Sequence, residues 1–151
     1  MALASLLIAL PVAGCGTSND SSGDDGTSSS SGSAAQQQAG FDTVTIEDVA
    51  DSIEAGTSLL VDVRTQQEWN AGHAARATLV PFDTVASSLD EITAEADGRP
   101  IVFICRSGNR SAQAAQVAVD AGVTDVSSVD GGMQAWVDAG LPILPKDGSV
   151  A

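Results

Sequence analysis

Ile101-Val102-Phe103-Ile104-Cys105-Arg106-Ser107-Gly108-Asn109-Arg110-Ser111-Ala112-Gln113-Ala114-Ala115 is the stretch on which the fold turns. Its first four residues are apolar without alternation, which predicts a strand buried on both faces, as in parallel sheets covered by helices. The Ala/Val-rich run from Ser111 to Ala121 predicts a helix, stopped by Gly122. A buried strand passing through a short loop into a helix is half of a βαβ unit. The rest of the chain must therefore supply parallel neighbours and crossover helices.

Working outward, it does. Phe41–Val44 predicts a first strand, and Thr45 with Asp48 three residues on opens a helix over Ile46, Val49 and Ile53, ended by Gly56. Leu59–Val63, apolar but for Asp62, is a second run of this kind. Thr65-Gln66-Gln67-Glu68 is a capping box for a short helix ending near Gly72. Ala77–Val80 predicts a strand stopped by Pro81, and Val85, Leu89 and Ile92 a helix closed by Gly98. Val126–Val129 predicts the last strand, and Met133–Ala139 the last helix. Five β runs separated by helices predict an α/β domain: a five-stranded, mostly parallel sheet with helices on both faces and Ile101–Ile104 at its centre.

The chemistry gathers at one strand end. In an open parallel sheet, ligands collect outside the carboxyl ends of the strands, and Cys105 sits at such an end, facing a helix N-terminus with free N–H groups. Arg106 and Arg110 add two full charges to the loop. These effects favour thiolate over thiol. Gly108 and Asn109 permit positive φ, so successive amides can turn inward as an anion-binding nest. The prediction is a nucleophilic sulfur under a ring of donors sized for a small anion.

Composition excludes several alternatives. The chain of 151 residues carries 20 Asp+Glu against 6 Lys+Arg, a formal charge of -14. There is no basic stripe to displace counterions from phosphates, so nucleic acid is not an expected partner. Two cysteines cannot form a disulfide scaffold, and one His with one Cys in the domain makes no metal site. No cofactor is called for. Residues 1–14 carry no charged side chain and are too few to span a bilayer. They predict a signal peptide, and Val12-Ala13-Gly14-Cys15 resembles the bacterial lipobox, in which the Cys is acylated. The segment lacks the usual Lys or Arg ahead of the apolar run. Thr17–Ser33 holds eight Ser, three Gly, three Asp, two Thr and one Asn. Such a segment cannot bury enough surface to fold. Residues 16–40 are thus expected to be a disordered tether with a reach of about 25–30 Å, and residues 41–151 the folded domain.

The run Cys105-Arg106-Ser107-Gly108-Asn109-Arg110-Ser111 resembles the active-site loop of rhodanese-type sulfurtransferases. Leu60-Val61-Asp62-Val63-Arg64, Glu68-Trp69, Gly72-His73 and Gly131-Gly132-Met133-Gln134-Ala135-Trp136 resemble that family's other blocks, in the same order. Four residues separate Cys105 from Arg110. Related dual-specificity phosphatases and arsenate reductases carry one more, in a wider cradle for a tetrahedral oxyanion. The resemblance implies that Cys105 takes a sulfane sulfur from a small anionic donor such as thiosulfate, and that the loop from Arg106 to Ser111 binds it. The sulfur then passes to a thiol or a cyanide-like acceptor. The alternative is a non-catalytic module of the same family acting as a binding, sulfur-carrier or redox-sensing domain. The sequence departs from the family at Ala74, Arg76 and Thr78, which stand where Ile, Gly and Asn are usual, and Arg76 for Gly puts the local backbone in question.

Asp62, Arg64 and Glu68 are expected to form a structural ion-pair cluster beside the site. His73 is expected to be a hydrogen-bonding core residue, since a thiolate attacking sulfane sulfur needs no base, and Trp69 and Trp136 to be core residues. Cys15 is the expected lipidation site, which makes the membrane a partner through its lipid. The domain is then a monomer on the outer face of a bacterial cell membrane or in the periplasm.

Overall fold

The computed structural model describes residues 40–150. The expected signal at 1–14, Cys15 and the expected tether as far as residue 39 lie outside the described residues. In chain order the elements are β1 (Asp42–Val44), α1 (Ile46–Ala55), β2 (Leu59–Asp62), α2 (Gln66–Ala71), β3 (His73–Ala74), β4 (Ala77–Leu79), a 3-10 turn (Phe82–Thr84), α3 (Val85–Ala96), β5 (Ile101–Ile104), α4 (Asn109–Asp120), β6 (Val126–Val129), α5 (Gly132–Asp138) and β7 (Ile143–Leu144). The main sheet has the order β1-β6-β5-β2-β4, with every pairing parallel. β5 is its central strand, as its unbroken apolar run required.

Strand alternation sorts the core into two layers. Leu59, Val61, Ile101 and Phe103 point to one face and pack with Val85 and Ile92 of α3 and Ala114, Ala115 and Ala118 of α4. Leu60, Val102, Ile104 and Val129 point to the other and pack with Ile46, Val49 and Ile53 of α1 and Met133 and Trp136 of α5. Small residues on α4 let it lie close over β5 and β6. Each large aliphatic or aromatic side chain buried this way contributes about 1.5–3 kcal/mol.

The capping signals act as read. The Thr45 amide donates to Asp48 at 3.1 Å, and the Thr65 amide to Glu68 at 2.9 Å, where the Glu68 amide also donates back to Thr65 Oγ1. Helix α1 ends at Gly56 in the left-handed conformation, φ 73°.

Several expectations need correction. The loop helix starts at Asn109, two residues ahead of the Ala/Val-rich run, so Ser111 lies inside its first turn. A second sheet, β3 with β7 antiparallel, joins His73–Ala74 to the C-terminal segment. Two-residue strands carry no periodicity for sequence reading to detect. Trp136 is buried, but Trp69 is only half-buried and stacks on His73 instead of entering the core. The segment with the unusual Ala74, Arg76 and Thr78 is unstrained: Arg76 is exposed and is not among the positive-φ residues, and Ala74 is fully buried. Thr78 donates to Glu95 at 2.6 Å.

Candidate active site

Cys105 follows β5 by one residue and falls on the same face as Ile101 and Phe103, under the first turn of α4. It is 1% exposed. Its Sγ accepts a hydrogen bond from the Gly108 amide at 3.2 Å and from the Ser111 hydroxyl at 3.5 Å. Gly108 makes this possible: with φ at 101° it folds the loop back over the sulfur and caps α4. Asn109, by contrast, is already helical, so only one of the two residues expected to take positive φ does so.

The loop's amides face the sulfur because its carbonyls are held elsewhere. The Met133 amide donates to the Cys105 carbonyl at 2.8 Å, and the Gln134 amide to the Arg106 carbonyl at 3.2 Å. These are free donors of the α5 N-terminus. The turn ahead of α5 brings them close through Gly131 and Gly132, at φ 69° and 56°. A Cβ on Gly132 would run into the Cys105 carbonyl oxygen and lie 2.7 Å from the Arg106 carbonyl carbon. One helix N-terminus thus orients the loop so that the other helix, α4, presents its donors to Sγ.

Burial pushes the Cys105 thiol up, but the Ser111 hydroxyl and the amides of Ser111, Ser107 and Gly108 outweigh it, and the net displacement is downward. Of the two arginines, Arg110 is close enough for its charge and that of a Cys105 thiolate to favour each other, although its main partner is a carboxylate. Arg106 is exposed. Arg110 forms a two-point pair with Glu68, Nη1 to Oε2 at 2.9 Å and Nη2 to Oε1 at 2.6 Å. The Arg110 guanidinium, with help from Thr65, holds the Glu68 carboxyl down at about 2 against its partial burial; Glu68 in turn raises Arg110.

The expected ion-pair cluster therefore splits in two. Glu68 belongs to Arg110 and the loop. Asp62 and Arg64, both fully buried, pair separately: Nε and Nη2 of Arg64 reach the Asp62 carboxylate at 3.0 and 2.7 Å, and Nη2 also donates to the Gly72 carbonyl at 2.7 Å. The Arg64 amide donates to the same carboxylate at 3.0 Å. This pair fastens the chain after β2 to the start of β3. His73 Nδ1 lies 2.9 Å from the Trp69 carbonyl, and the two rings stack with centroids 3.7 Å apart. His73 makes no hydrogen bond to Cys105, in keeping with a structural role.

Three residues with a hand in the site were not singled out from the sequence for this role. Gly131 and Gly132 were noted only as a motif; an adjacent glycine pair directly before a helix is the signal for a close backbone approach. Ser128 was not noted at all, although a polar residue inside a strand otherwise buried calls for a partner.

The arrangement can hold negative charge on a sulfur, or on an atom bonded to it, within a cup of peptide donors. A family model, Rhodanese-like domain, matches residues 45–139. A structure from Rhodopseudomonas palustris, described as a protein of unknown function and possible tyrosine phosphatase, is 30% identical over 68% of this chain and 84% of its own, with TM-score 0.62. One from Staphylococcus saprophyticus is 32% identical over 66% and 96%, with TM-score 0.56. The human single-domain sulfurtransferase TSTD1 is 27% identical over 64% and 95%, with TM-score 0.55.

Proposed function

We propose, from the premise that this chain belongs to the rhodanese-like domain family, that it is a sulfurtransferase whose nucleophile is Cys105. The observation that carries this is the donor set at Sγ: a buried sulfur with an amide at 3.2 Å and a hydroxyl at 3.5 Å, its titration displaced downward. A thiolate there attacks the outer sulfur of a sulfane donor. With thiosulfate a new S–S bond forms at Cys105, the bond between the two thiosulfate sulfurs breaks, and the electron pair leaves with sulfite. The persulfide anion stays in the cup, stabilised by donors fixed before the reaction starts. A thiolate or cyanide then takes the outer sulfur and returns Cys105 as thiolate, which gives ping-pong kinetics. Arg106 to Ser111 form the donor site in this reading. Being related to a human sulfurtransferase supports it.

Mass spectrometry of the protein after exposure to thiosulfate is the test. The Cys105 peptide is expected to gain one sulfur, about 32 Da; no gain with any sulfane donor would sink the proposal. Persulfide without repeated turnover in any acceptor would favour a carrier or sensor. One relative is described as a possible phosphatase, but the four-residue interval between Cys105 and Arg110 suits a sulfur better than a tetrahedral oxyanion. Hydrolysis of an aryl phosphate, lost in Cys105→Ser, would reverse that preference.

The proposal extends to location. Cys15, following the signal at 1–14, would carry a lipid, and residues 16–40 would hold the domain clear of the outer face of the membrane. Membrane fractionation of wild type and Cys15→Ser tests this; equal solubility would refute the anchor.

A further inference from the structure

Ser128 lies on β6 opposite Phe103 of β5. That register turns its side chain to the layer that holds Cys105 and α4, where an apolar residue would be expected. It is 2% exposed, and Ser111, fully buried above it, accepts its hydrogen bond at 2.9 Å. Ser111 has a single hydroxyl proton and two acceptors within reach: the Gly108 carbonyl at 2.9 Å and Cys105 Sγ at 3.5 Å. The carbonyl is nearer and is already bonded, by the Ala112 amide at 3.0 Å.

We infer that Ser128 is a positioning residue for Cys105. By donating to Ser111 Oγ it fills one of that oxygen's two lone pairs and polarises its O–H, which favours donation of the Ser111 proton to Sγ in place of the Gly108 carbonyl when the sulfur is ionised. The chain Ser128 to Ser111 to Cys105 is a buried row of hydrogen bonds, each polarising the next. It ends on the atom that must carry negative charge. The same chain would support the anionic persulfide. This deepens the reading of Cys105 as nucleophile and rests on it.

The charged groups on the loop and the elements packed against it include Arg106 on the loop, Arg110 on α4 with Glu68 of α2 paired to it, Asp62 at the end of β2 with its partner Arg64, Asp130 after β6, and the exposed Asp83 in the 3-10 turn packed on α4. None is altered by replacing Ser128.

The experiment is the rate of iodoacetamide alkylation of Cys105 in the full chain as a function of pH, read on the Cys105 peptide by mass spectrometry. This keeps Cys15 out of the reading and needs no sulfur donor. Failure of the sulfurtransferase proposal would therefore show separately. Ser128→Ala is expected to raise the midpoint by about 0.3–1 pH unit, the worth of one polarised hydrogen bond, and so to cut the alkylation rate about two- to tenfold below the midpoint. Ser128→Thr, which keeps the hydroxyl, should restore most of it. On a Ser111→Ala background, Ser128→Ala should shift the midpoint no further, because the link is already cut. An unchanged or lowered midpoint in Ser128→Ala, or additive shifts in the double variant, would overturn the inference. If Ser128→Ala fails to fold, the Thr and Val variants form an equivalent pair of equal shape, differing by the hydroxyl alone; equal midpoints in those two would overturn it as well.

Discussion

Replacing Glu68 by Gln separates two jobs that the Glu68–Arg110 pair performs. The carboxylate accepts both guanidinium nitrogens and the amide and hydroxyl of Thr65, and these contacts hold it at about 2. A displacement from the ordinary 4.5 corresponds to about 3 kcal/mol if carried in full. The pair sits at the rim, with side-chain exposure of 31% for Arg110 and 22% for Glu68. Solvent screening reduces the expected contribution to about 1–1.5 kcal/mol. The sign follows from the direction: a carboxyl held low stabilises the fold above its unfolded value, and that stability drains away as pH falls from about 4.5 toward 2. Urea unfolding at a series of pH values should show Glu68→Gln less stable by that amount at pH 7, with the two curves converging near pH 2. Alkylation of Cys105 should move the other way. With Arg110 no longer offset, its charge favours the thiolate and the midpoint falls. A stability difference independent of pH, or a Cys105 midpoint that rises, would refute this account of the pair.

Gly132→Ala is expected to destabilise the fold by roughly 2–4 kcal/mol, since the new Cβ meets the Cys105 and Arg106 backbone at a φ of 56°; calorimetry should show the loss, and persulfide formation should fall with it. Arg64→Leu leaves Asp62 buried without its partner, which predicts a loss of about 3–5 kcal/mol in urea titration. Arg64→Lys should recover part of it, because an ammonium cannot reach the carboxylate in two places and the Gly72 carbonyl together. Turnover of thiosulfate should rise as salt increases from about 20 to 200 mM, because the domain's 17 acids against 6 bases repel an anion; slowing with salt would contradict this.

Most of the architecture was legible because it rests on periodicity. Ile101–Ile104, wholly apolar, and Leu59–Val63, apolar but for Asp62, announce buried parallel strands, and Thr45 and Thr65 announce helix starts by side-chain spacing. Cys105, Gly108 and Ser111 were legible because a nucleophile at a strand end followed by a glycine and a helix is a local pattern. What escaped depends on contacts between distant segments. No local feature of Glu68 says that it will meet Arg110, 42 residues on. Its spacing near Asp62 and Arg64 points to an ion pair, but the partner the fold supplies is Arg110. The β3–β7 pair and the Ser128–Ser111 bond are likewise products of tertiary register. Arg106 and Arg110 are legible only in part: formal charge is easy to count in a sequence, whereas pairing with Glu68 or exposure to solvent is not.

That pairing bears on how the site can recognise an anion. Once Arg110 is offset by Glu68 and Arg106 extends outward, the positive potential at Sγ is built mainly from peptide dipoles: the Gly108 amide, its neighbours in the loop and the first turn of α4. Dipole fields fall off faster than those of charges, so such a cup acts over a bond length or two and does little at the distance where a full charge would steer. With a net charge of -14 on the whole chain, the long-range field opposes an anionic donor. Selection must then occur on contact. A charge that develops on sulfur inside the cup gains the donors fully, while a dianion approaching from solvent gains little until it is seated. A site of this kind stabilises the bound persulfide more than the incoming donor, which places its binding energy on the intermediate.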